Sequence, residues 1–369
     1  MIRPDPNFPS RYAEARTRFL EAARARGARL EHLENVAAGK GPDRETLAAD
    51  VAVLGPADAS AVLLVHSGTH GVEGYCGSGV QQALLRDGPE IDAALSAGAR
   101  VVMLHAINPW GFAWGRRVTE DNVDLNRNFR DFAREPGGPD ADYDAVHALM
   151  LPATWPPDDA NRAALAEFVA QRGAGQLQFA VSHGQRSRSD GMFFAGDAPT
   201  WSNRTLREVL RRHVRGARRL AWIDLHTGLG PSGHGELIYN GRDDAADLRR
   251  ARDCWGARVT STFEGSSASA KVGGHTGNAA YDECPTTALA SVAIEYGTAP
   301  FDQVLDALRF DHWVHARAPG DAALRADARD AMLAAFFVDT ADWKAAVVAE
   351  ARRTVAQAVA ALGDTRAGA

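Results

Sequence analysis

Cysteine is scarce in this sequence, which holds only Cys76, Cys254 and Cys284 among 369 residues. No two of them stand in a CxxC pair. A number this small and odd excludes a disulfide framework, because such a framework needs an even number of cysteines. Since proteins of reducing compartments rarely contain disulfides, the lack of a disulfide framework leads us to expect a cytoplasmic protein.

Long hydrophobic runs are absent as well. The longest uninterrupted apolar stretches, such as residues 61–65, have the length of a strand and fall far short of the roughly 20 residues that cross a bilayer. Near the N-terminus, arginines interrupt the apolar residues, so the apolar core of about 7 to 15 residues that a signal peptide needs is missing. We therefore expect neither membrane association nor export.

Positive charge is not in excess. Lys and Arg together number 41 and Asp and Glu 47, which leaves a net charge of −6. Without an excess of cationic side chains, neither nucleic acid nor an anionic membrane is expected as a partner. The remaining composition, 45% hydrophobic and 24% charged, is that of a globular protein with a sizeable core, which excludes disorder and a coiled coil.

Apolar runs that alternate with glycine-rich loops and helical segments predict an α/β fold. AVLLVHSGTHG is typical of a buried strand that runs into a loop, and VEGYCGSGVQQALLRDG of the helix that follows it. RVVMLHAINPWG then predicts another strand, which completes a strand, helix, strand unit. Further strands are predicted in three later segments, RRLAWIDLHTG, GELIYNG and TTALASVAIEYGT.

We expect a single domain over residues 1–369, because no internal repeat and no linker divides the chain. The segment from about 132 to 175 is rich in proline, then acidic and then rich in alanine, which predicts an inserted helical excursion. The part from about 301 to 369 is predicted to be a helical C-terminal extension, since its last segment places apolar residues at helical spacing.

The first candidate site residues are His70 and Glu73, in the loop after the apolar strand of residues 61–65. An imidazole and a carboxylate three residues apart can bind one metal ion. On its own such a pair is more often a loop histidine beside a surface glutamate. Its position favours a site, because open α/β sheets bind ligands just past their strand ends.

Two further candidates also end apolar strands. His226 follows the strand in WIDLHTG, with Asp224 on the same face two residues earlier. With His70 and Glu73 it would complete the three-ligand set of a catalytic zinc site, which keeps a fourth position open. Glu295 closes the strand in VAIEYGT, where partial desolvation would raise its pKa towards the range of a general base. Read alone, it is equally well a salt-bridged glutamate.

A cluster of arginines and asparagines occupies the segment GRRVTEDNVDLNRNF. It contains Arg116, Arg117, Asn126 and Arg127. Guanidinium and amide groups suit a carboxylate ligand, and an arginine can stabilise a developing oxyanion. The sequence leaves open which of Arg116 and Arg117 has that second role.

In combination these residues resemble the zinc carboxypeptidase family, the funnelins. The segments NPWGFAW and DLNRNF are similar to that family's NPDG and DxNRN stretches, and the resemblance runs from about residue 61 to 298. It is strongest to a bacterial branch whose members mostly lack an assigned substrate. The order that carries the resemblance is His70, Glu73, Arg116 or Arg117, Asn126, Arg127, His226, Glu295. Aspartoacylase-like deacylases share this order and resemble the chain in DLNR and DLH.

The resemblance implies a fold, a cofactor and a set of roles. The fold is α/β, with a mixed, mostly eight-stranded central sheet flanked by helices. One Zn²⁺ per chain is implied, held by His70, Glu73 and His226, with Glu295 as the general base. Arg116 or Arg117 is implied at the oxyanion, and Asn126 with Arg127 at the substrate's carboxylate.

The implied activity is the hydrolysis of an amide bond next to a free carboxylate, in a small peptide. Two alternatives stay open, an N-acyl amino acid deacylase and a metal-free binding protein on the same fold. The family also has a tyrosine before its catalytic glutamate, for which Tyr239 and Tyr281 are the candidates. Neither the oligomeric state nor the preferred side chain is specified by the sequence.

Three other patterns are set aside. His66 lacks a glutamate three residues later, and His183 lacks an apolar strand before it, so neither is expected to bind the metal. Gly228, Gly230 and Gly233 form a GxGxxG pattern, but a predicted strand follows instead of the helix that a dinucleotide site requires.

Overall fold

A computed structural model of the chain describes residues 7–135 and 137–363, so both ends of the predicted domain of residues 1–369 lie outside the described residues. Within the described ranges, eight strands form one mixed sheet in the order β1-β2-β4-β3-β5-β8-β6-β7. The prediction of a mixed, eight-stranded central sheet flanked by helices is confirmed. The strands are β1 (Arg29–Glu34), β2 (Ala48–Leu54), β3 (Ala61–Ser67), β4 (Arg100–His105), β5 (Arg219–Gly228), β6 (Gly235–Tyr239), β7 (Val259–Thr260) and β8 (Ala288–Gly297).

The four central strands, β4, β3, β5 and β8, are parallel to one another, while β2 and β6 pair with them in the antiparallel sense. The carboxyl ends of the parallel strands therefore meet at one edge of the sheet, where α/β proteins bind their ligands. The register places His226 of β5 directly beside Glu295 of β8. Two residues that are far apart in sequence thus share one face and one edge.

Helices cover both faces of the sheet. They are α1 (Tyr12–Ala25), α2 (Gly74–Asp87), α3 (Pro89–Ser96), α4 (Pro109–Trp114), α5 (Ala141–Met150), α6 (Asp159–Arg172), α7 (Ala174–Ser182), α8 (Trp201–His213), α9 (Ala245–Trp255), α10 (Asn278–Glu283), α11 (Phe301–Arg317), α12 (Ala322–Phe336) and α13 (Ala341–Gly363).

Alternate residues of each central strand pack against different helices. Leu63 and Val65 of β3 belong to a cluster with α1, α2, α9 and α13, whereas Val62 and Leu64 belong to a cluster with α8 and α10. Because successive side chains of a strand point to opposite faces, a strand covered on both sides has to be apolar throughout. β3 is buried along its whole length, and this burial explains its run of apolar residues from 61 to 65.

A third apolar cluster lies outside the sheet. It joins α5 and α7 to α11 and α12. The predicted excursion of about 132–175 contains α5, α6 and the start of α7, and the predicted C-terminal extension contains α11, α12 and α13 as far as residue 363. Residues 364–369 lie outside the described residues, and a single domain stays a prediction. Among the described helices, none has the length and apolar content needed to cross a membrane.

Candidate active site

Three predicted metal ligands meet at the carboxyl edge of the sheet. His70 lies in the loop after β3, Glu73 in the 3₁₀ turn before α2 and His226 near the end of β5. The Nδ1 atom of His70 is 2.8 Å from Oε1 of Glu73, and Nδ1 of His226 is 2.9 Å from Oε2 of Glu73 and 3.2 Å from Nδ1 of His70. All three side chains are buried, and they form the single such group of potential ligands within the described part of the chain.

The local chain explains why His70 and Glu73 point the same way. The N–H of Gly71 donates to the carbonyl of Arg117 over 3.0 Å, and the N–H of Val72 to that of Arg116 over 2.8 Å. A Cβ atom on Gly71 would lie only 2.0 Å from the carbonyl carbon of Gly111 in α4. The ligand loop therefore packs directly on the backbone of the segment that carries the two arginines.

An aspartate stands behind each histidine. Nε2 of His70 is 3.3 Å from Oδ1 of Asp124, and Nε2 of His226 is 2.8 Å from Oδ2 of Asp224. Burial alone would raise the pKa of Asp124, but Arg117 and Arg127 outweigh burial and hold it well below its usual value. Each Nε2 thus lies within ion-pair distance of a carboxylate. A proton on Nε2 would suit this carboxylate and would leave the Nδ1 lone pair for a metal ion.

The donor set fits a zinc ion. Two imidazole nitrogens and one carboxylate are the ligands of many catalytic zinc sites. Tetrahedral bonds of about 2.0 to 2.1 Å place two ligand nitrogens about 3.3 Å apart, and the two Nδ1 atoms here are 3.2 Å apart. Although burial opposes ionisation of Glu73, the nearby His70 and His226 lower its pKa to about 2, so this ligand is an anion.

His66 supports the site without joining the ligand cluster. The indole N–H of Trp222 donates to Nδ1 of His66 over 2.7 Å, so the proton of the imidazole lies on Nε2, which is 3.1 Å from Oδ1 of Asp224. Burial lowers the pKa of His66 to about 4, which keeps it neutral. Thr69 and Thr276 donate their hydroxyl groups to the same carboxylate over 3.0 and 3.1 Å. Asp224 is thereby held rigidly behind His226.

The same cavity contains a second carboxylate, that of Glu295, whose properties differ from those of Glu73. The N–H of Leu229 donates to its Oε1 over 2.9 Å. Burial, followed by the negative charge of Glu73, raises the pKa of Glu295 to about 7. A carboxylate with such a pKa can take up and release a proton near neutral pH.

The structure separates the two adjacent arginines. Arg117 lines the cavity, with Nη1 3.4 Å from Oε1 of Glu73 and Nε 2.9 Å from Oδ2 of Asp124. Arg116 points elsewhere and places its Nε 3.0 Å from both carboxylate oxygens of Asp311 in α11. Of the two guanidinium groups, that of Arg117 is therefore the one near the candidate ligand cluster. The sequence-based suggestion of an oxyanion role for Arg116 has no support from the position of its guanidinium, which pairs with Asp311.

Asn126 and Arg127 also line the cavity. Arg127 is positioned by hydrogen bonds from Nε to the carbonyl of Ser182, over 2.8 Å, and from Nη1 to that of Asn126, over 3.0 Å. Burial lowers the pKa of Arg127 to about 10, so it still carries its charge at neutral pH. The Oδ1 atom of Asn126 accepts a hydrogen bond from the N–H of Thr276 over 3.0 Å.

Other predicted residues lie at different places. Tyr239 lines the cavity, whereas Tyr281 lies outside its lining and donates its hydroxyl to Oδ2 of Asp247 over 2.6 Å. His183 pairs with Asp140, its Nε2 lying 2.8 Å from Oδ2, and takes no part in the ligand cluster.

Among the lining residues that the sequence did not single out, Phe193 and His275 lie beside the arginines of the cavity. The guanidinium carbons of Arg117 and Arg127 lie 5.1 and 5.4 Å from the ring centre of Phe193. His275 follows no apolar strand and belongs to no motif, and Phe193 lies within the segment between the excursion and α8. Neither has a sequence pattern that would have identified it.

The fold and the site together define an α/β protein with a candidate metal centre at the carboxyl edge of its sheet. By sequence, the chain belongs to the family described as "Protein of unknown function (DUF2817)", whose model matches residues 8–350. A search of curated proteins found no match.

Three solved structures illustrate a distant similarity. Thrombin activatable fibrinolysis inhibitor has 14% identity and a TM-score of 0.47, with 89% of this chain and 79% of that chain covered. Carboxypeptidase A from Helicoverpa armigera has 14% identity and a TM-score of 0.45, with 90% and 75% covered. A metallo-carboxypeptidase from Pseudomonas aeruginosa has 15% identity and a TM-score of 0.37, with 91% and 68% covered.

Proposed function

We propose that this protein is a zinc-dependent hydrolase that cleaves an amide bond next to a free carboxylate. The observation that carries the proposal is the set of side chains that line one cavity. Three ligand atoms converge there, beside a separate carboxylate of raised pKa and two arginines. Each of these groups has a use in amide hydrolysis, and together they are more specific than any of them alone.

His70, Glu73 and His226 would hold the zinc ion through two Nδ1 atoms and a carboxylate. Zinc bound in such a site lowers the pKa of water and polarises a carbonyl group. Asp124 and Asp224 fix the orientation of the two imidazoles through Nε2, and their negative charge makes the imidazoles better ligands.

Glu295 is proposed to be the general base. It takes a proton from the attacking water and passes it to the leaving amine, a transfer for which a pKa near neutrality is best suited. The N–H of Leu229 holds Oε1, which leaves Oε2 available to carry the proton.

The arginines bind negative charge at two positions. Arg117 is proposed to stabilise the oxyanion that develops on the scissile carbonyl, since its guanidinium lies in the cavity close to Glu73. Arg127, with Asn126 beside it, is proposed to bind the free carboxylate of the substrate, because a guanidinium binds a carboxylate through paired hydrogen bonds.

The zinc-loaded protein should cleave short peptides that have a free C-terminus. Amidation of that C-terminus removes a charged hydrogen bond to Arg127, which is worth about 1.5 to 3 kcal/mol, so kcat/KM should fall by about 10-fold to 150-fold. The released amino acid is measured by chromatography. If free and amidated peptides are cleaved at equal rates, the substrate's free carboxylate has no role in binding.

Glu295→Gln is the test of the base. Turnover should fall by about 10²-fold to 10⁴-fold, while elemental analysis should still find one zinc ion per chain. His70→Ala is the companion variant and should lose the metal together with the activity. An active Glu295→Gln protein would exclude this residue as the base.

The same assays decide between the alternatives. Cleavage of N-acyl amino acids without cleavage of peptides would identify a deacylase of the aspartoacylase-like kind. Purified protein that takes up no stoichiometric zinc, even when zinc is supplied, would instead favour a binding protein. We also propose a cytoplasmic location, because the chain contains only three cysteines.

A further inference from the structure

The cavity is charged only at the catalytic centre. Among the described residues that line it, the carboxylate and guanidinium groups are those of Glu73, Glu295, Arg117 and Arg127, all of which already have a proposed role. Of the other lining residues more than half are aliphatic or aromatic, and the remainder are glycine, histidine or uncharged polar residues. A charged group of a substrate that projects away from the centre would therefore find no partner of opposite charge.

Part of this lining forms one continuous apolar surface, which we call the apolar wall. Its members come from α7, from the segment after α7, from α11 and from the end of α12, and all pack together in the third apolar cluster of the protein. The apolar wall consists of Leu177, Val181, Phe193, Leu305, Leu308 and Phe336. Since this cluster is anchored outside the sheet, the wall is built by α7, the segment after it and the C-terminal helices, and not by the strands.

Phe193 connects the apolar wall to the catalytic centre. Its ring lies against both Arg117 and Arg127, so the wall begins where the oxyanion and the carboxylate are proposed to bind. Its backbone has a φ of 51°, which is unfavourable for a bulky residue and persists only where the surroundings impose it. The neighbouring residues impose it here, because the N–H of Met192 donates to the hydroxyl of Tyr143 and the carbonyl of Phe194 accepts from the N–H of Asp124.

We propose that the substrate carries a bulky apolar group, aromatic or branched aliphatic, which packs on the apolar wall while its carboxylate binds at Arg127. The proposal rests on the hydrolase function proposed above and adds its substrate class. Substrates with a charged group at the same position are discriminated against, because an unpaired charge loses its hydration in this cavity and gains no partner.

A substrate panel tests the preference. The panel consists of peptides and N-acyl amino acids that differ from one another in a single side chain. That side chain is phenylalanine or leucine in the apolar members and glycine, aspartate or lysine in the others. The apolar members should exceed the glycine member in kcat/KM by about 10-fold to 200-fold, and the charged members should be poorer still. Cleavage of all members at similar rates, or a preference for charged ones, would overturn the substrate class and leave the hydrolase function standing.

A charge placed in the apolar wall gives the sharper experiment. Leu177 of α7 lines the cavity, whereas Phe179 of the same helix lies outside its lining and is 42% exposed. Leu177→Asp should lower kcat/KM for the phenylalanine substrate and raise it for the lysine substrate. The fall for the phenylalanine substrate should be about 10-fold to 200-fold, the usual effect of a changed pocket contact on discrimination between substrates. Phe179→Asp should change neither value.

Two controls keep the outcomes distinct. Leu305→Asp places the charge on α11 instead of α7, and should produce the same switch if Leu177→Asp fails to fold. Binding of free phenylalanine and free lysine to the zinc-loaded protein is also measured by calorimetry. If the protein cleaves no substrate but binds phenylalanine in preference to lysine, the hydrolase function is contradicted and the role of the apolar wall is not. If the substrate specificity is unchanged in both variants, the role of the apolar wall is contradicted.

A second inference comes from His275, in the loop between β7 and α10. Its Nδ1 atom is buried and has no hydrogen-bond partner. The loop is held against the Asn126-Arg127 turn, because the carbonyl of Gly274 accepts from the N–H of Phe129 over 2.9 Å. A Cβ atom on Gly274 would lie 2.2 Å from the carbonyl oxygen of Arg127. Burial, followed by the charge of Arg127, lowers the pKa of His275 to about 4, so its imidazole is neutral at pH 7.

The geometry points to His275 as a further substrate-binding residue, whose Nδ1–H donates to the substrate's carboxylate beside Arg127. A buried polar atom without a partner is costly and needs an explanation. A ligand that enters the cavity and accepts the hydrogen bond supplies one. The position of His275 in the cavity lining, next to the residue proposed to bind the carboxylate, makes the carboxylate the acceptor within reach.

Three substitutions of His275 test this contact. An asparagine places its amide near the position of Nδ1, whereas a glutamine places its amide near that of Nε2. His275→Ala should raise KM about tenfold or more, the usual effect of losing a hydrogen bond to a charged group, with little change in kcat. His275→Asn should restore KM to within about threefold of wild type and His275→Gln should not. An unchanged KM in His275→Ala, at full zinc content, would overturn the contact.

Discussion

At the scale of single residues, Glu73 and Glu295 illustrate how one cavity gives two carboxylates opposite properties. Glu73 is buried and lies beside two histidines that lower its pKa to about 2. Glu295 is half-buried, and desolvation together with the charge of Glu73 raises its pKa to about 7. Carboxylates whose pKa values are driven apart in this way are suited to different tasks. The first suits a permanent anionic ligand and the second a proton carrier.

The raised pKa predicts a pH-dependent stability of the metal-free protein. Because the pKa of Glu295 in the folded state lies above its unfolded value, the wild type loses stability as the pH rises from about 4.3 through about 7. Glu295→Gln avoids this loss. At pH 8 it should therefore be more stable than wild type by about 1 to 3 kcal/mol, and at pH 4 the two should be equal. Urea unfolding of both proteins at both pH values measures the difference in their free energies of unfolding. A difference that is the same at pH 4 and pH 8 would contradict the prediction.

The role of Asp224 is a second prediction at this scale. Asp224→Asn should weaken zinc binding by about 10-fold to 100-fold, because the carboxylate behind a metal-binding histidine fixes its orientation and proton position. Competition with a chromophoric chelator measures the affinity. Asp311→Asn is the matched control, since Asp311 is also buried and ion-paired but with Arg116, away from the cavity. That control should lower stability and leave zinc affinity unchanged.

At the scale of elements, the ligand loop between β3 and α2 is shaped by close packing. Gly71 lies against Gly111 of α4, and a Cβ atom on Gly74 would lie 2.5 Å from the ring of Phe112 in the same helix. The loop also pairs with the carbonyl groups of Arg116 and Arg117. A short helix outside the sheet, α4, and the chain after it thus determine where His70 and Glu73 point.

Gly71→Ala should consequently damage both stability and metal binding. The methyl group would meet backbone atoms that cannot rotate away, so the free energy of unfolding should fall by about 1 to 3 kcal/mol, and zinc affinity should fall with it. Gly175→Ala in α7 is the control, because a Cβ atom there has nothing within 4 Å. That variant should be neutral or slightly stabilising. Calorimetry and zinc titration of both proteins give the comparison.

At the scale of the whole molecule, the site joins parts of the chain that are far apart. His226 follows Glu73 by 153 residues, and the parallel neighbours β3, β5 and β8 bring the two together with Glu295. The loop of His275 and the segment of Phe193 close the same cavity from elsewhere in the chain. A ligand that bridges these parts binds only the folded protein.

Zinc should therefore stabilise the whole fold. At a free zinc concentration of 100 times Kd, the free energy of unfolding should rise by about 2.7 kcal/mol. Thermal unfolding with zinc and with a chelator measures the change as a shift in Tm. His70→Ala should remove the shift, and a shift of the same size in that variant would mean that zinc binds elsewhere.

The strands show how far the pattern of side chains predicts the fold. β2, β3, β4, β5, β6 and β8 are foreseeable as apolar runs because they are covered on one or both faces. β1, with the sequence RLEHLE, mixes charged and apolar residues without strict alternation, and β7 has only two residues, so neither has a recognisable pattern. Both lie at the margins of the sheet, where burial imposes little on the sequence.

The sequence by itself determined the identity of the groups at the centre. His70, Glu73, His226 and Glu295 each stand at the end of an apolar strand or in the loop after one, and parallel strands must bring such ends to one edge. These are consequences of local pattern and of sheet geometry. They need no knowledge of how distant segments pack.

Only the tertiary structure decided which neighbours complete the site. It placed Arg117 in the cavity and turned Arg116 towards Asp311, although the two are adjacent in sequence. It also brought Phe193 and His275 to the cavity, from segments without a motif. The physical reason is that the direction of a side chain in a loop depends on contacts with remote segments, and such contacts leave no periodic trace in the sequence.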